Sequence, residues 1–156
     1  MQATLDMTFP GSERSAIAKV PLTTVWRTLI DYENYPKILD EIVHARVLER
    51  RPHLTIVEFR AKVLFRRFDY TLAMHEGGHP FSLSWTLVQS RALRVNEGRW
   101  TLEALGARET NVTYRVHVVP SLPLPEFFVR GVTNLTLPKM VQKWARYAER
   151  SEALDA

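Results

Sequence analysis

The chain has 156 residues, 46% of them hydrophobic and 24% charged, with no cysteine; this is the composition of one globular domain able to bury a core without staples, and it excludes disulfides and thiolate chemistry. A net charge of +4 permits weak contact with an acidic membrane surface or with RNA, but Lys and Arg are spread along the chain and form no dense basic tract. No apolar run is long enough to span a membrane and the N-terminus lacks the basic-then-apolar pattern of a signal peptide, so the expected location is the cytoplasm.

Residues 1–11 alternate weakly at Leu5, Met7 and Phe9 and end in the turn signal Pro10-Gly11. They read as a tail or an extra strand ahead of a single domain over residues 12–150, with residues 151–156 as a C-terminal tail. Ser15 to Val20 alternates as a strand and is broken by Pro21. Thr23 or Thr24 can cap a helix carrying Val25, Trp26, Leu29 and Ile30 and ending near Tyr32. Tyr35-Pro36 forces the chain out of that helix, and a second short helix is expected over Pro36 to Leu39.

Ile42 to Arg51 is a strand bounded by Pro52. In the next strand, Thr55 to Phe65, the residues Thr55, Val57, Phe59, Ala61, Val63 and Phe65 take one side, and Glu58, Arg60 and Lys62 the other. One face is buried and one is wet, as in an antiparallel sheet. Phe68, Tyr70, Leu72 and Met74 continue the inward pattern, and Gly77-Gly78-His79-Pro80 makes a turn. Phe81, Leu83, Trp85 and Leu87 alternate in a further strand; Asn96-Glu97-Gly98 is expected to turn again. Arg99 to Leu105 and Asn111 to Val119 are two more strands around Gly106. Pro125-Glu126 then opens a long helix to Arg150, with Leu137, Met140, Val141, Trp144 and Ala148 on one face. Pro138 clashes with the carbonyl of Asn134, so a kink is expected there. Helix segregated from sheet in this order predicts an α+β fold with a mainly antiparallel sheet.

Few residues carry obvious chemistry. His75-Glu-Gly-Gly-His79 matches the letters of the zinc motif H-E-x-x-H, but that motif needs a helix, which Gly77, Gly78 and Pro80 forbid. Asp31 and Glu33 could pose as paired carboxylates, yet such groups at a helix end are usually solvated. No G-x-S-x-G sequence or Gly-rich phosphate loop occurs. No metal and no cofactor are expected. What the chain does hold is an excess of inward aromatics. A sheet bent round one helix offers more apolar wall than the helix can cover, and Tyr and Trp add polar tips suited to a partly polar ligand.

Certain residues also resemble a known family. Val25-Trp26, Asp31-Tyr-Glu-Asn-Tyr-Pro36 and Val47-Leu-Glu49, then Gly98-Arg-Trp100-Thr-Leu102, Thr110-Asn-Val-Thr-Tyr114 and Leu122-Pro123, resemble the polyketide cyclase/dehydrase branch of the START-like (SRPBCC) superfamily, nearest its coenzyme Q-binding and ribosome-associated toxin subgroup. The likeness runs from Ser15 to Glu149. It implies a helix-grip fold, seven antiparallel strands around the C-terminal helix, with an internal cavity for quinones, lipids or polyketide chains. Aromatase/cyclase members line the cavity with an Arg and a Ser on a middle strand; here those places fall near Met74 and Leu72. The family's Trp carries over to Trp100 and its aromatic before the early Pro to Tyr35. Ser90-Arg91-Ala92 stands where a Gly-Pro is usual.

The expectation is therefore a non-catalytic binder of a small hydrophobic molecule. Its cavity residues would be Tyr35, Phe59, Tyr70, Met74, Trp85, Trp100, Tyr114, Asn134 and Leu137. A cyclase or dehydrase is the first alternative, with Tyr70, Tyr114, a His or Arg99 as acid or base. A ribosome- or RNA-associated protein is the second.

Overall fold

The structure, a computed structural model, describes residues 13–63, 65–78, 81–121, 123 and 137–155. Its strands are β1 (Glu13–Ala18), β2 (Ile42–Arg51), β3 (Leu54–Val63), β4 (Arg66–Gly78), β5 (Ser82–Ser90), β6 (Leu93–Gly106) and β7 (Glu109–Pro120). They form one seven-stranded antiparallel sheet in the order β1-β7-β6-β5-β4-β3-β2. Helix α1 (Leu22–Leu29), a 3-10 turn at Tyr32–Asn34 and helix α2 (Tyr35–Ile38) connect the two edge strands, β1 and β2; helix α3 (Leu137–Asp155) follows β7. The α+β class and the antiparallel sheet with its C-terminal helix are as the patterning predicts.

The alternation in β3 works as its residues dictate: Val57, Phe59 and Ala61 are buried with Thr55, while Arg60 and Lys62 face water. The β3–β4 register sets Phe59 opposite Tyr70, Val57 opposite Leu72 and Thr55 opposite Met74, giving a continuous apolar wall. Helix α3, whose 19 residues span about 28 Å at the helical rise, lies along β1, where Arg146 Nη2 donates to the Ile17 carbonyl at 2.7 Å. Val141, Trp144, Ala145 and Ala148 are fully buried along one stripe. Trp144 Nε1 donates to Thr28 Oγ1 at 3.0 Å, and Thr28 Oγ1 donates to the Val25 carbonyl at 2.7 Å. The indole nitrogen and the hydroxyl thus satisfy each other inside the core, locking α3 to α1.

Several local expectations are corrected. Asn96-Glu97-Gly98 does not turn but sits within β6. The turn is Ser90-Arg91-Ala92, where Ser90 Oγ accepts the N–H groups of Ala92 and Leu93, both at 3.1 Å, and donates to the Asp69 carbonyl at 2.7 Å. A serine hydroxyl bonding the backbone just ahead supplies turn chemistry without Gly or Pro. Phe65 and Phe81 do not join the core: Phe65 is 72% exposed, and Phe81, at φ 55°, precedes β5 and packs edge-on to Trp26. Neither Thr23 nor Thr24 caps α1; the N-cap is Pro21, whose carbonyl accepts from Thr24 N–H at 3.0 Å. Helix α3 runs on through Asp155, past Arg150. The described part of α3 starts at Leu137, so the kink expected between Asn134 and Pro138 falls on residues outside those described. Asn134 and the Pro125-Glu126 start signal lie outside the described residues, as does the segment of residues 1–11.

Gly98 has a packing reason instead of a turning one. A Cβ there would lie 2.5 Å from the Trp85 ring and closer still to the Arg115 carbonyl oxygen. Trp85 Nε1 donates to Asn96 Oδ1 at 3.0 Å, so Asn96 and Gly98 together seat that indole. Gly98→Ala is expected to destabilise the fold by about 1–3 kcal/mol through overpacking. Gly106→Ala, where nothing lies within 4 Å, serves as the neutral control. Urea melts of the two variants decide it, and equal midpoints would remove this account of Gly98.

Candidate functional site

The gap between sheet and helix is lined by aromatic rings that touch in series. Their centroids run Tyr70–Phe59 at 5.6 Å, Phe59–Tyr35 at 5.6 Å, Tyr35–Trp144 at 4.7 Å, Trp144–Trp100 at 5.0 Å, Trp100–Tyr114 at 4.6 Å and Tyr114–Trp85 at 5.7 Å. Leu72 and Met74 on β4 close the horseshoe, since Met74 stands opposite Trp85 and Tyr70 is four residues back on the same strand. The hollow so enclosed measures about 120 Å³ and is also bordered by Leu39, Ile42, Asn96 and Met140. An apolar cavity of about 150 Å³ holds one benzene-sized ring, whereas pockets for drug-sized ligands run to about 300 Å³ or more. The space suits one ring.

The polar groups on this wall divide into satisfied and unsatisfied. Tyr35 Oη donates to the Leu29 carbonyl at 2.6 Å. The indoles of Trp85 and Trp144 donate to Asn96 and Thr28. The hydroxyls of Tyr70 and Tyr114 make no hydrogen bond to any described residue. No charged side chain borders the hollow among the described residues. Burial holds the phenols neutral: it is the main cause pushing the Tyr70, Tyr114 and Tyr35 hydroxyls above their ordinary range, and the nearby Tyr70 raises Tyr114 further. Both neutral phenols border the same hollow, and a carbonyl oxygen there, with two lone pairs, can accept from either.

Tyr35, Phe59, Tyr70, Met74, Trp85, Trp100 and Tyr114 are thus brought together around one space. The Leu137 side chain and Asn134 lie outside what is described. The sequence reading missed Leu39, Ile42, Leu72, Asn96, Met140 and Trp144 as lining. Asn96 was hidden by its turn-like neighbours. Trp144 and Met140 were visible as the apolar stripe of α3, but periodicity does not separate a residue that fills a core from one that borders a gap.

The other candidates fall elsewhere. Arg99 is exposed on β6, and none of the described histidines borders the hollow. Asp31 accepts from Asn34 Nδ2 at 2.5 Å, and Glu33 Oε2 accepts the Val47 N–H at 3.0 Å, so these carboxylates pin the 3-10 turn. His75 and Glu76 lie on strand β4. Glu76 accepts from the fully buried Tyr32 hydroxyl at 2.5 Å and from Thr55 Oγ1 at 3.0 Å, tying the 3-10 turn to the sheet. Among the described residues no group of three or more His, Cys, Asp or Glu could hold a metal ion, and no helix is long and apolar enough to cross a membrane.

A second, polar groove of about 690 Å³ opens on the surface beside Arg67, Asp69, Gln89 and Arg91. Tyr70 borders both this groove and the inner hollow.

Comparison with known proteins gives the family. The family described as polyketide cyclase / dehydrase and lipid transport matches residues 18–144. No curated protein sequence matches the chain. Among solved structures, the ZhuI aromatase/cyclase from Streptomyces sp. R1128 is similar with a TM-score of 0.73 and 16% identity, over 90% of this chain and 93% of that one. A START superfamily protein from Mycobacterium smegmatis gives 0.73 and 21%, over 91% and 97%. Human STARD10 gives 0.75 and 14%, over 92% of this chain and 64% of that one. At these identities the likeness is one of fold: the START/Bet v1-like helix grip.

Proposed function

Because this chain belongs to the polyketide cyclase / dehydrase and lipid transport family, we propose that it binds and carries a small hydrophobic ligand in its aromatic hollow without transforming it. The observation that carries the reading is the uncharged ring of aromatics with two phenols, Tyr70 and Tyr114, that have no partner among the described residues. A ring-sized portion of a lipid, quinone or polyketide-like molecule offers what that wall asks for: an apolar body and a neutral oxygen acceptor. A quinone head group is the finer choice that the coenzyme Q-binding resemblance adds. An ionised ligand is disfavoured, because a charge buried there would meet no counter-charge.

Acetophenone and benzoate test this directly, being ring-sized and differing chiefly in a neutral ketone against an anion. Quenching of the indoles at Trp85, Trp100 and Trp144 is expected with acetophenone and at least about tenfold more weakly with benzoate. Each neutral hydrogen bond contributes about 0.5–1.5 kcal/mol, so Tyr70→Phe/Tyr114→Phe should weaken acetophenone by about 5–100-fold. Equal binding of the two probes, or none, would sink the reading; native mass spectrometry of the purified protein shows in parallel whether a ligand travels with it.

A second reading, polyketide cyclisation, is favoured by the same phenol pair and by the fold shared with an aromatase/cyclase. At neutral pH these hydroxyls can polarise a carbonyl but cannot serve as bases, since burial keeps them protonated. A new aromatic absorbance on incubation with a poly-β-ketone thioester, lost in the double Phe variant, would favour it over carriage.

A further inference from the structure

We propose that the tip of the β3–β4 hairpin is a docking finger for an anionic lipid bilayer. Phe65 is the most exposed large apolar residue described, 72% against 53% for the next, Val88. It sits at the tip between Lys62, Arg66 and Arg67, all exposed. An aromatic ring flanked by cations is the pairing that interfacial binding rewards: the ring enters the acyl boundary while the cations meet acidic headgroups.

The register supplies an independent argument. Two pairs down the ribbon, Arg60 stands opposite Asp69 and bonds it at 2.7 Å, so that rung is neutral within the protein. At the tip the rung is Lys62 opposite Arg67. Like charges directly opposite one another destabilise a strand pair, and among the described residues Lys62, Arg66 and Arg67 have no acidic partner. Arg66, opposite Val63, points to the other side, so cations flank the ribbon on both faces. An acidic surface outside the protein can supply that counter-charge, and the bare phenyl ring between the cations selects an acidic lipid surface over a soluble anion. The finger also lies beside the polar groove that Arg67 shares with Tyr70, the residue separating that groove from the inner hollow. Docking there would set this wall against the membrane.

The test does not depend on what the hollow holds. Full-length protein is sedimented with vesicles of phosphatidylcholine alone and of phosphatidylcholine with about one-third phosphatidylserine, at low and high salt. Binding is expected only to the acidic vesicles and is expected to fall with salt as the charges are screened. Each cation near such a surface contributes roughly fivefold, so Lys62→Gln/Arg66→Gln/Arg67→Gln should lower partitioning by about 100-fold. Phe65→Ser should lower it by about tenfold, the burial of one aromatic side chain. Arg27→Gln/Arg99→Gln/Arg150→Gln, with the same net charge, should retain binding. Near-UV circular dichroism confirms that each variant is folded. Equal loss in both triple variants, indifference to Phe65→Ser, or retention on RNA without vesicle binding would each overturn the proposal.

Discussion

Trp144→Ala is expected to remove about 3–5 kcal/mol of stability, the usual cost of emptying a fully buried tryptophan site. Small domains hold about 5–15 kcal/mol in total, so the variant should be near the limit of folding. The reason is the place of this ring. It is fully buried on α3, meets Tyr35 edge-on and Trp100 tilted, and anchors its indole nitrogen on Thr28. Removing it merges a new void with the existing hollow and unpicks helix from helix. Trp144→Phe keeps part of the ring packing but drops the bond to Thr28, and should cost less. Chemical denaturation of the three proteins checks the ranking. A Trp144→Ala variant with an unshifted midpoint would mean that α3 is not the element the sheet closes on.

Alkaline pH should unfold the protein steeply above pH 10. Tyr32, Tyr35 and Tyr114 are buried, and burial is the first cause raising each phenol above its ordinary value; the bond to Glu76 adds to it for Tyr32. The folded chain therefore keeps protons that the unfolded chain releases above about pH 10. Folded pKa values above the unfolded ones mean stability is intact below pH 10 and is lost as pH rises beyond it. Each such phenol contributes about 1.4 kcal/mol per pH unit, so three contribute about 4 kcal/mol per unit. Denaturant melts at pH 9, 10 and 11, read together with tyrosinate absorbance, measure this. Full tyrosinate absorbance near pH 10 from a chain that stays folded would show these phenols to be reachable by water.

How much of this was legible in the chain depends on what each signal encodes. The period-two run Thr55 to Ala61 and the helical stripe from Met140 to Ala148 are read correctly because a half-buried strand and an amphipathic helix each repeat one geometry along the chain. Phe65 and Phe81 continue the strand alternation on paper, yet both stand at the ends of strands, where the sheet no longer covers them. Asn96-Glu97-Gly98 has turn composition, and only the neighbouring strand reveals that the asparagine bonds Trp85 and the glycine clears room for its ring.

The sequence by itself determined which residues face inward along the interiors of the strands and of the C-terminal helix, the α+β segregation and the abundance of aromatic rings on the inner face, since these follow from local periodicity and composition. Only the tertiary structure decided which rings pack solid and which surround a gap, that Tyr70 and Tyr114 are left without a described partner while Tyr35 finds Leu29, and that Lys62 faces Arg67. Those facts belong to pairs of residues set side by side by strand register and helix docking, and spacing along one chain does not contain them.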